Sequence, residues 1–388
     1  MTVDKDAILR KRDFTCIPSP AYVLDTELLD ANLRVIDRVR HETRADIIVA
    51  LKANAMWSIF PELKRHSDGA TASSLAEARL VYDKFGFKTH TYAPVYTDGE
   101  IDEILSCSSH VTFNSLSQFE RFKDKAVAAG VSCGLRINPE YSTVKTDLYN
   151  PCNRGSRLGV LSEDLKELPE GLEGLHFHAL CESMPDAFEA TLEAVEQRFG
   201  KFINQVKWLN CGGGHLMTHK DYDVDKLIDV VNAFMAKYPS LRLILEPGSA
   251  FTWDTGCLVA TVEDVVRNGG VNTVMLNVSF ACHMPDCLEM PYKPVILGMH
   301  DPQPGEVRWR MGGNSCLAGD FVGDWAFDDG HEPRVGDRIV FRDMIHYTMV
   351  KTTMFNGVTH PQIGIFDPTS GYRCVRAFGY ADYRDRMS

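Results

Sequence analysis

From about residue 45 to residue 248, short apolar runs rich in β-branched side chains alternate with longer amphipathic periods. The runs at Ile47–Lys52, Gly69–Ser73, His90–Pro94, His110–Phe113, Ser132–Asn138, Gly174–Ala179, Trp208–Gly213 and Leu241–Pro247 read as strands. A strand covered on both faces shows no polar alternation, so runs such as Ile47–Leu51 point to a buried parallel sheet. Between most of the strands lie helical periods. In Pro185–Phe202, Phe188, Leu192, Val195, Phe199 and Phe202 recur at steps of three and four, and Leu227, Ile228, Val231, Phe234 and Met235 do so in Val224–Tyr238. Eight strands alternating with helices predict a closed (β/α)8 barrel, with an open doubly wound sheet as the alternative.

After Gly248 the long helical periods stop. Leu258–Val266, Val271–Phe280, Arg334–Arg342 and Tyr347–Met354 read as strands, with turn signals at Pro302-Gln-Pro-Gly305 and Asp328-Asp-Gly330. These predict an all-β C-terminal domain, joined by the first two dozen residues, where Ala21–Asp25 is a strand candidate. The expected class is therefore α/β plus β, with the barrel over 27–250 and the β domain over 1–26 and 251–388. A chain of 388 residues suits this pair of domains, and 44% apolar with 24% charged residues is the profile of a soluble globular protein. The start of the chain carries no apolar signal segment and no run nears the length of a bilayer span, so a cytoplasmic protein with no membrane partner is expected. Eleven cysteines without a C-x-x-C pair suit reduced thiols. A net charge of −12 argues against a nucleic-acid partner and is compatible with a small cationic substrate.

In barrels of this type catalytic groups gather at the C-terminal ends of the strands. Those ends carry Lys52, His178, Gly212-Gly-Gly214 and Glu246. A lysine desolvated at a strand end loses its charge readily and becomes the nucleophile that Schiff-base chemistry needs; a lysine merely snorkelling to solvent is the plain alternative. His176 and His178 share one face of a strand, open to reading as a metal pair, as an imidazole stacked on a planar cofactor, or as core histidines. No third ligand has suitable spacing, so no metal is expected. Three consecutive glycines can turn backbone N–H groups toward a phosphate, although glycine runs are also ordinary turns. A carboxylate at Glu246 would keep a pyridine nitrogen protonated, or else simply pair with a nearby charge. In the β domain, Gly312-Gly-Asn-Ser-Cys316 and Asp320 form a turn-rich cluster in which Cys316 could donate a proton and Asp320 hold an amine.

Taken in order, Ala50-Leu-Lys-Ala-Asn54, His176-Phe-His178, the glycine triplet, Glu246-Pro-Gly248, Gly313-Asn-Ser-Cys316 and Phe355-Asn-Gly357 resemble the fold-type III pyridoxal phosphate decarboxylases. That group includes the ornithine, diaminopimelate and carboxynorspermidine enzymes. The similarity runs from Pro20 to about Phe366 and is greatest to the carboxynorspermidine branch. Gly174-Leu-His-Phe-His-Ala-Leu-Cys-Glu182, Phe280-Ala-Cys-His-Met-Pro-Asp286 and Gly313-Asn-Ser-Cys-Leu-Ala-Gly-Asp320 carry it. The resemblance implies an alanine racemase-like barrel with pyridoxal 5'-phosphate bound covalently by Lys52. His178 would stack on the ring, Gly212, Gly213, Gly214 and Tyr347 would hold the phosphate, and Glu246 would pair with the ring nitrogen. It further implies a homodimer in which a second copy supplies Cys316 and Asp320, so that Cys316 or Lys52 reprotonates the product and Asp320, with Asp286 as a further candidate, binds substrate amines.

The expected activity is decarboxylation of carboxynorspermidine or carboxyspermidine to norspermidine or spermidine in polyamine biosynthesis. Ser249 stands where ornithine and diaminopimelate enzymes carry arginine, and Leu317-Ala318 stand where diaminopimelate enzymes carry Glu-Ser. Another decarboxylase of this fold, acting on diaminopimelate, ornithine or arginine, is the alternative. A non-catalytic pyridoxal phosphate-binding protein and a metal-dependent barrel hydrolase stand further off.

Overall fold

A computed structural model describes residues 3–388. The chain divides into two compact units, one made of Asn32–Phe251 and the other of the segment up to Ala31 together with Thr252–Ser388. The first strand, β1 (Ala21–Asp25), belongs to the second of these.

The Asn32–Phe251 unit is a closed, all-parallel eight-stranded barrel. Its strands are β2 (Asp46–Ala50), β3 (Gly69–Ala72), β4 (Thr89–Tyr92), β5 (Ser108–Phe113), β6 (Ser132–Arg136), β7 (Leu172–His176), β8 (Trp208–Asn210) and β9 (Arg242–Leu245). The ring closes where Asp46 and Ile47 of β2 pair with Ile244 and Leu245 of β9. Each of the eight expected runs overlaps one of these strands, and the open-sheet alternative is ruled out. The two amphipathic periods are the helices Pro185–Ile203 and Val224–Lys237, whose apolar stripes are buried against the barrel.

Side chains alternate across a strand, so residues two apart share the inner face. Ile48, Trp208 and Ile244 form an apolar cluster inside the barrel. The indole of Trp208 fits only because its neighbours are glycines: a Cβ at Gly174 would lie 2.0 Å from the ring and one at Gly134 2.2 Å. One step toward the C-terminal ends, the same strands present Ala50, Arg136, His176, Asn210 and Glu246. A dry floor thus carries a polar layer, and that layer is the wall of the candidate site.

The other unit is a nine-stranded mixed sheet running β12-β14-β13-β11-β10-β1-β16-β17, with β15 also paired to β10. Its remaining strands are β10 (Gly256–Asn268), β11 (Val271–Leu276), β12 (Met299–His300), β13 (Trp309–Gly312), β14 (Phe321–Phe327), β15 (Arg338–Arg342), β16 (Gln362–Asp367) and β17 (Gly371–Arg376). The long β10 pairs with β1 and β15 through its first half and with β11 through its second, with a register break between Val262 and Asp264. Ile17, Ala21, Val23, Cys257, Val259 and Val340 form its core.

Two sequence expectations are corrected here. Tyr347–Met354 is not a strand but contains a single 3-10 turn at Thr348–Val350, because Tyr347 has a φ of +38° and turns the chain. The strand expected over Val271–Phe280 stops at Leu276, since the Ser279 hydroxyl caps a short helix at Phe280–His283 by accepting from the Cys282 N–H at 3.1 Å. A helix at Tyr380–Met387 also adds to what was expected to be all β. No helix among the described residues is long and apolar enough to cross a membrane.

Candidate active site

Lys52 lies two residues beyond the end of β2 and His178 two beyond β7. Lys52 Nζ stands 3.2 Å from His178 Nε2. The other imidazole nitrogen, Nδ1, accepts the Gly213 N–H at 3.0 Å. An imidazole nitrogen that accepts from a backbone N–H carries no proton, so the ring hydrogen sits on Nε2 and points at Lys52. An ammonium has no lone pair to receive it, so this contact requires Lys52 as the free amine. Burial acts in the same direction: it lowers the Lys52 pKa, with Arg136 helping and Glu246 opposing. Burial also pushes His178 well below the ordinary histidine range, aided by Lys52 and Arg136. The lysine is therefore poised as a nucleophile by its neighbours.

Glu246 follows β9 by one residue and lines the same cavity as Lys52, His178, His176, Arg136 and Tyr92. Its Oε1 accepts from Asn210 Nδ2 at 2.6 Å, and His176 Nε2 is 3.7 Å from Oε2. Burial works against ionisation of Glu246, but the His176 ring 3.7 Å away and the hydrogen bond from the Asn210 amide outweigh it and hold the carboxyl below its usual range. Asn210 also uses its Oδ1 to accept the Gly212 N–H at 2.9 Å. One amide thus ties the carboxylate to the glycine turn. Arg136 donates from Nη2 to the His178 carbonyl at 3.1 Å and lies over the Tyr92 ring at 4.7 Å.

The glycine triplet is held by close approach. Gly212 and Gly214 have φ of +69° and +93°, a region that favours glycine. A Cβ on Gly212 would fall 2.5 Å from the Phe177 carbonyl oxygen, one on Gly213 2.4 Å from that of Glu246, and one on Gly214 2.4 Å from that of Leu180. The N–H groups of Gly212 and Gly213 are spent on Asn210 and His178. The visible role of these two glycines is to let the strand ends pack and to fix the site side chains.

The remaining expected residues lie on the sheet unit. Cys316 is exposed, and its N–H donates to Asn356 Oδ1 at 3.0 Å. Asp320 is buried and organises its own loop, accepting from the Ala281 N–H at 3.0 Å, the Ser315 N–H at 3.0 Å and the Ser315 hydroxyl at 2.6 Å. Those bonds fix the carboxylate within its loop. Asp286 differs: Oδ2 accepts from Tyr292 and Thr348 at 2.9 Å each, whereas buried Oδ1 has no partner among the described residues. Tyr347 sits in the strained turn noted above. The strand-end reading did not single out Arg136, Tyr92 or Asn210. Their only signal is a two-residue step along the inner face from Gly134, His90 and Trp208.

The barrel brings a free lysine amine and an ionised carboxylate to one cavity, with a glycine turn bonded to Asn210 and His178 beside it, a set of groups suited to a carbonyl cofactor. The family model described as "Pyridoxal-dependent decarboxylase, C-terminal sheet domain" matches residues 21–345. A carboxyaminopropylagmatine decarboxylase of Synechocystis sp. is 50% identical over 381 residues, covering 98% of each chain. A carboxynorspermidine/carboxyspermidine decarboxylase of Campylobacter jejuni is 41% identical over 379 residues, covering 95% of this chain and 98% of that protein. The crystal structure of carboxynorspermidine decarboxylase complexed with norspermidine from Campylobacter jejuni superposes with a TM-score of 0.89 at 40% identity, over 95% of this chain and 100% of that one. The chain belongs to the pyridoxal-dependent decarboxylases, as a member with the fold-type III architecture.

Proposed function

We propose that this protein is a carboxy-lyase that removes CO2 from a carboxylated polyamine in polyamine biosynthesis, using pyridoxal 5'-phosphate bound in the barrel. The observation that carries this reading is the free Lys52 amine sharing one cavity with ionised Glu246. The cavity fits the cofactor on its own chemistry, with a neutral amine for an aldehyde and a carboxylate for a pyridine nitrogen, and a glycine turn with no room for side chains is bonded to the His178 ring beside it. When bound, pyridoxal phosphate supplies the aldehyde that links to an amine and a ring that takes up the electron pair left as CO2 departs.

The chain's own residues then have distinct tasks. Lys52 Nζ would hold the cofactor's aldehyde carbon, and His178, which contacts Nζ, would face its ring. Glu246 would hold a proton at the ring nitrogen, and Gly214 and Tyr347 would serve the phosphate, with Gly212 and Gly213 shaping the turn. Cys316 Sγ of a second copy in a homodimer, or Lys52 Nζ, returns a proton to the carbon that lost CO2. Asp286, with its uncommitted oxygen, binds a remote amine, and Asp320 supports the Cys316 loop. The enzyme would act in the cytoplasm.

The relatives' named substrates share a carboxylated aminopropyl end and differ at the far end, which is an ammonium in the spermidines and a guanidinium in the agmatine derivative. The 50% identity with the Synechocystis enzyme gives carboxyaminopropylagmatine a specific claim beside carboxynorspermidine and carboxyspermidine. The test is CO2 release by purified protein with each of these three, and with diaminopimelate, ornithine and arginine, with and without pyridoxal phosphate. Cofactor-dependent turnover of at least one carboxylated polyamine, with kcat/KM far above the amino acids, is expected. Preference for diaminopimelate or ornithine would overturn the reading.

A further inference from the structure

Buried polar atoms rarely go without a hydrogen bond, and each exception needs a reason. His176 has two. It is 2% exposed, and neither ring nitrogen has a hydrogen-bond partner among the described residues. Its surroundings say where the ring is aimed. Nε2 stands 3.7 Å from Glu246 Oε2, a little beyond hydrogen-bond length, while Asn210 already holds Glu246 Oε1. The opposite neighbour is the Tyr92 ring, 5.2 Å away and itself covered by Arg136. His176 and Asn210 are paired positions of the β7–β8 ladder, so the two side chains leave the barrel wall at the same height. Burial keeps His176 below its ordinary pKa, and a neutral imidazole has one N–H to give.

We propose that His176 is a positioning residue for Glu246: its Nε2–H closes onto Oε2 while Asn210 holds Oε1, so the carboxylate stays anionic and aimed at the cofactor ring. This rests on the reading of Glu246 as partner of the ring nitrogen. The groups facing the pair are Lys52 from the end of β2, His90 and Tyr92 from β4, Arg136 from β6 and His178 beyond β7. Of these, Arg136 is the standing positive charge; Lys52 is held as the free amine, and burial keeps His90 and His178 uncharged. Without the His176 donor, Glu246 becomes more basic and draws the proton away from the ring.

The test compares His176→Leu, His176→Gln and Glu246→Gln. Two readouts need no turnover: the cofactor dissociation constant, from titration of the cofactor-free protein, and the pH dependence of the bound cofactor's absorption without substrate. Loss of one hydrogen bond to a charged group predicts about tenfold or more weaker cofactor binding in His176→Leu. Its absorption titration should shift, and kcat should fall with KM little changed. Gln places an amide N–H near the position of Nε2, so His176→Gln should recover most of the binding and the wild-type titration. Should His176→Leu fail to fold, His176→Asn, whose amide falls short of Nε2, takes its place and should behave as the Leu variant does. Glu246→Gln separates the two ideas. If it alters neither binding nor absorption, the reading of Glu246 fails. If it alters both while His176→Leu matches wild type, or if Gln is no better than Leu, the positioning role of His176 is overturned.

Discussion

Asn210→Ala is the sharpest single perturbation of this site, because one amide serves two partners. The substitution removes the 2.6 Å bond to Glu246 Oε1 and the 2.9 Å bond from the Gly212 N–H. A hydrogen bond to a charged group contributes about 1.5–3 kcal/mol, and a buried N–H left unbonded costs about 1–3 kcal/mol. Water entering the space vacated by the side chain offsets part of this, so a combined loss of roughly 2–4 kcal/mol is expected. The loss divides between the fold and the cofactor-bound state. At about 2–4 °C per kcal/mol for a unit of this size, the melting midpoint of the cofactor-free protein should fall by roughly 4–16 °C if the fold takes the loss. If the bound state takes it, cofactor affinity should weaken by more than about tenfold, since 1.4 kcal/mol is a factor of ten. Differential scanning calorimetry and a cofactor titration of the same protein measure both parts. Asn210→Asp sharpens the comparison. It keeps the acceptor for Gly212 but sets a second carboxylate against Glu246, and two such groups cannot both ionise easily. Cofactor binding should therefore be weaker in the Asp variant than in Ala. Unchanged melting and unchanged affinity in Asn210→Ala, or an Asp variant that binds better than Ala, would refute the coupling of the carboxylate to the glycine turn.

Other consequences are equally concrete. Lys52→Ala should leave no cofactor that borohydride can fix to the barrel and should lower kcat by about three orders of magnitude or more, on the scale seen when a covalent nucleophile is removed; a reducible link in that variant would exclude Lys52. In the cofactor-free protein Lys52 has a folded pKa below its unfolded one, so burying it costs stability at low and neutral pH, and that cost disappears as pH rises toward about 10.4. Thermal melts across this range should show wild type gaining on Lys52→Met as pH rises, and parallel curves would contradict the desolvation argument. Gly212→Ala combines roughly 1–2 kcal/mol of left-handed strain with a Cβ 2.5 Å from the Phe177 carbonyl, so it should lower both the melting midpoint and cofactor affinity; a silent substitution would remove the close-approach argument. Asp286→Asn should raise KM for a polyamine substrate with kcat largely kept, whereas Asp320→Asn should lower thermal stability, and the reverse assignment would show that the two acids have been exchanged.

The barrel was legible because parallel strands buried on both faces leave continuous apolar runs, and each of the eight expected runs overlaps an observed strand. The site was legible where a reactive residue type sits at a strand end, as Lys52, His178 and Glu246 do. Their placement was slightly off: the expected strands ran through Lys52 and His178, whereas both lie in the turns just beyond, where backbone pairing has ended and side chains are free to converge. Arg136, Tyr92 and Asn210 were missed because an arginine, a tyrosine and an asparagine inside a strand have no signature of their own. Only the closed barrel turns them toward Glu246 and Lys52. Asp320 was legible only in part, since sequence shows a carboxylate near a cysteine but not the Ser315 and Ala281 donors from which it accepts. Tyr347–Met354 has the β-branched and aromatic content of a strand, but the turn at Tyr347 overrides that preference.

The most direct test of the central claim is a single assay. Wild type and Lys52→Ala, each incubated with pyridoxal phosphate, receive carboxynorspermidine, carboxyspermidine or carboxyaminopropylagmatine labelled in the carboxyl group, and released CO2 is counted against the decarboxylated amine formed. Wild type should release one CO2 per amine formed from at least one of the three, with Lys52→Ala slower by about three orders of magnitude. No release from any of them by the loaded wild type, or equal rates in the two proteins, would contradict the account.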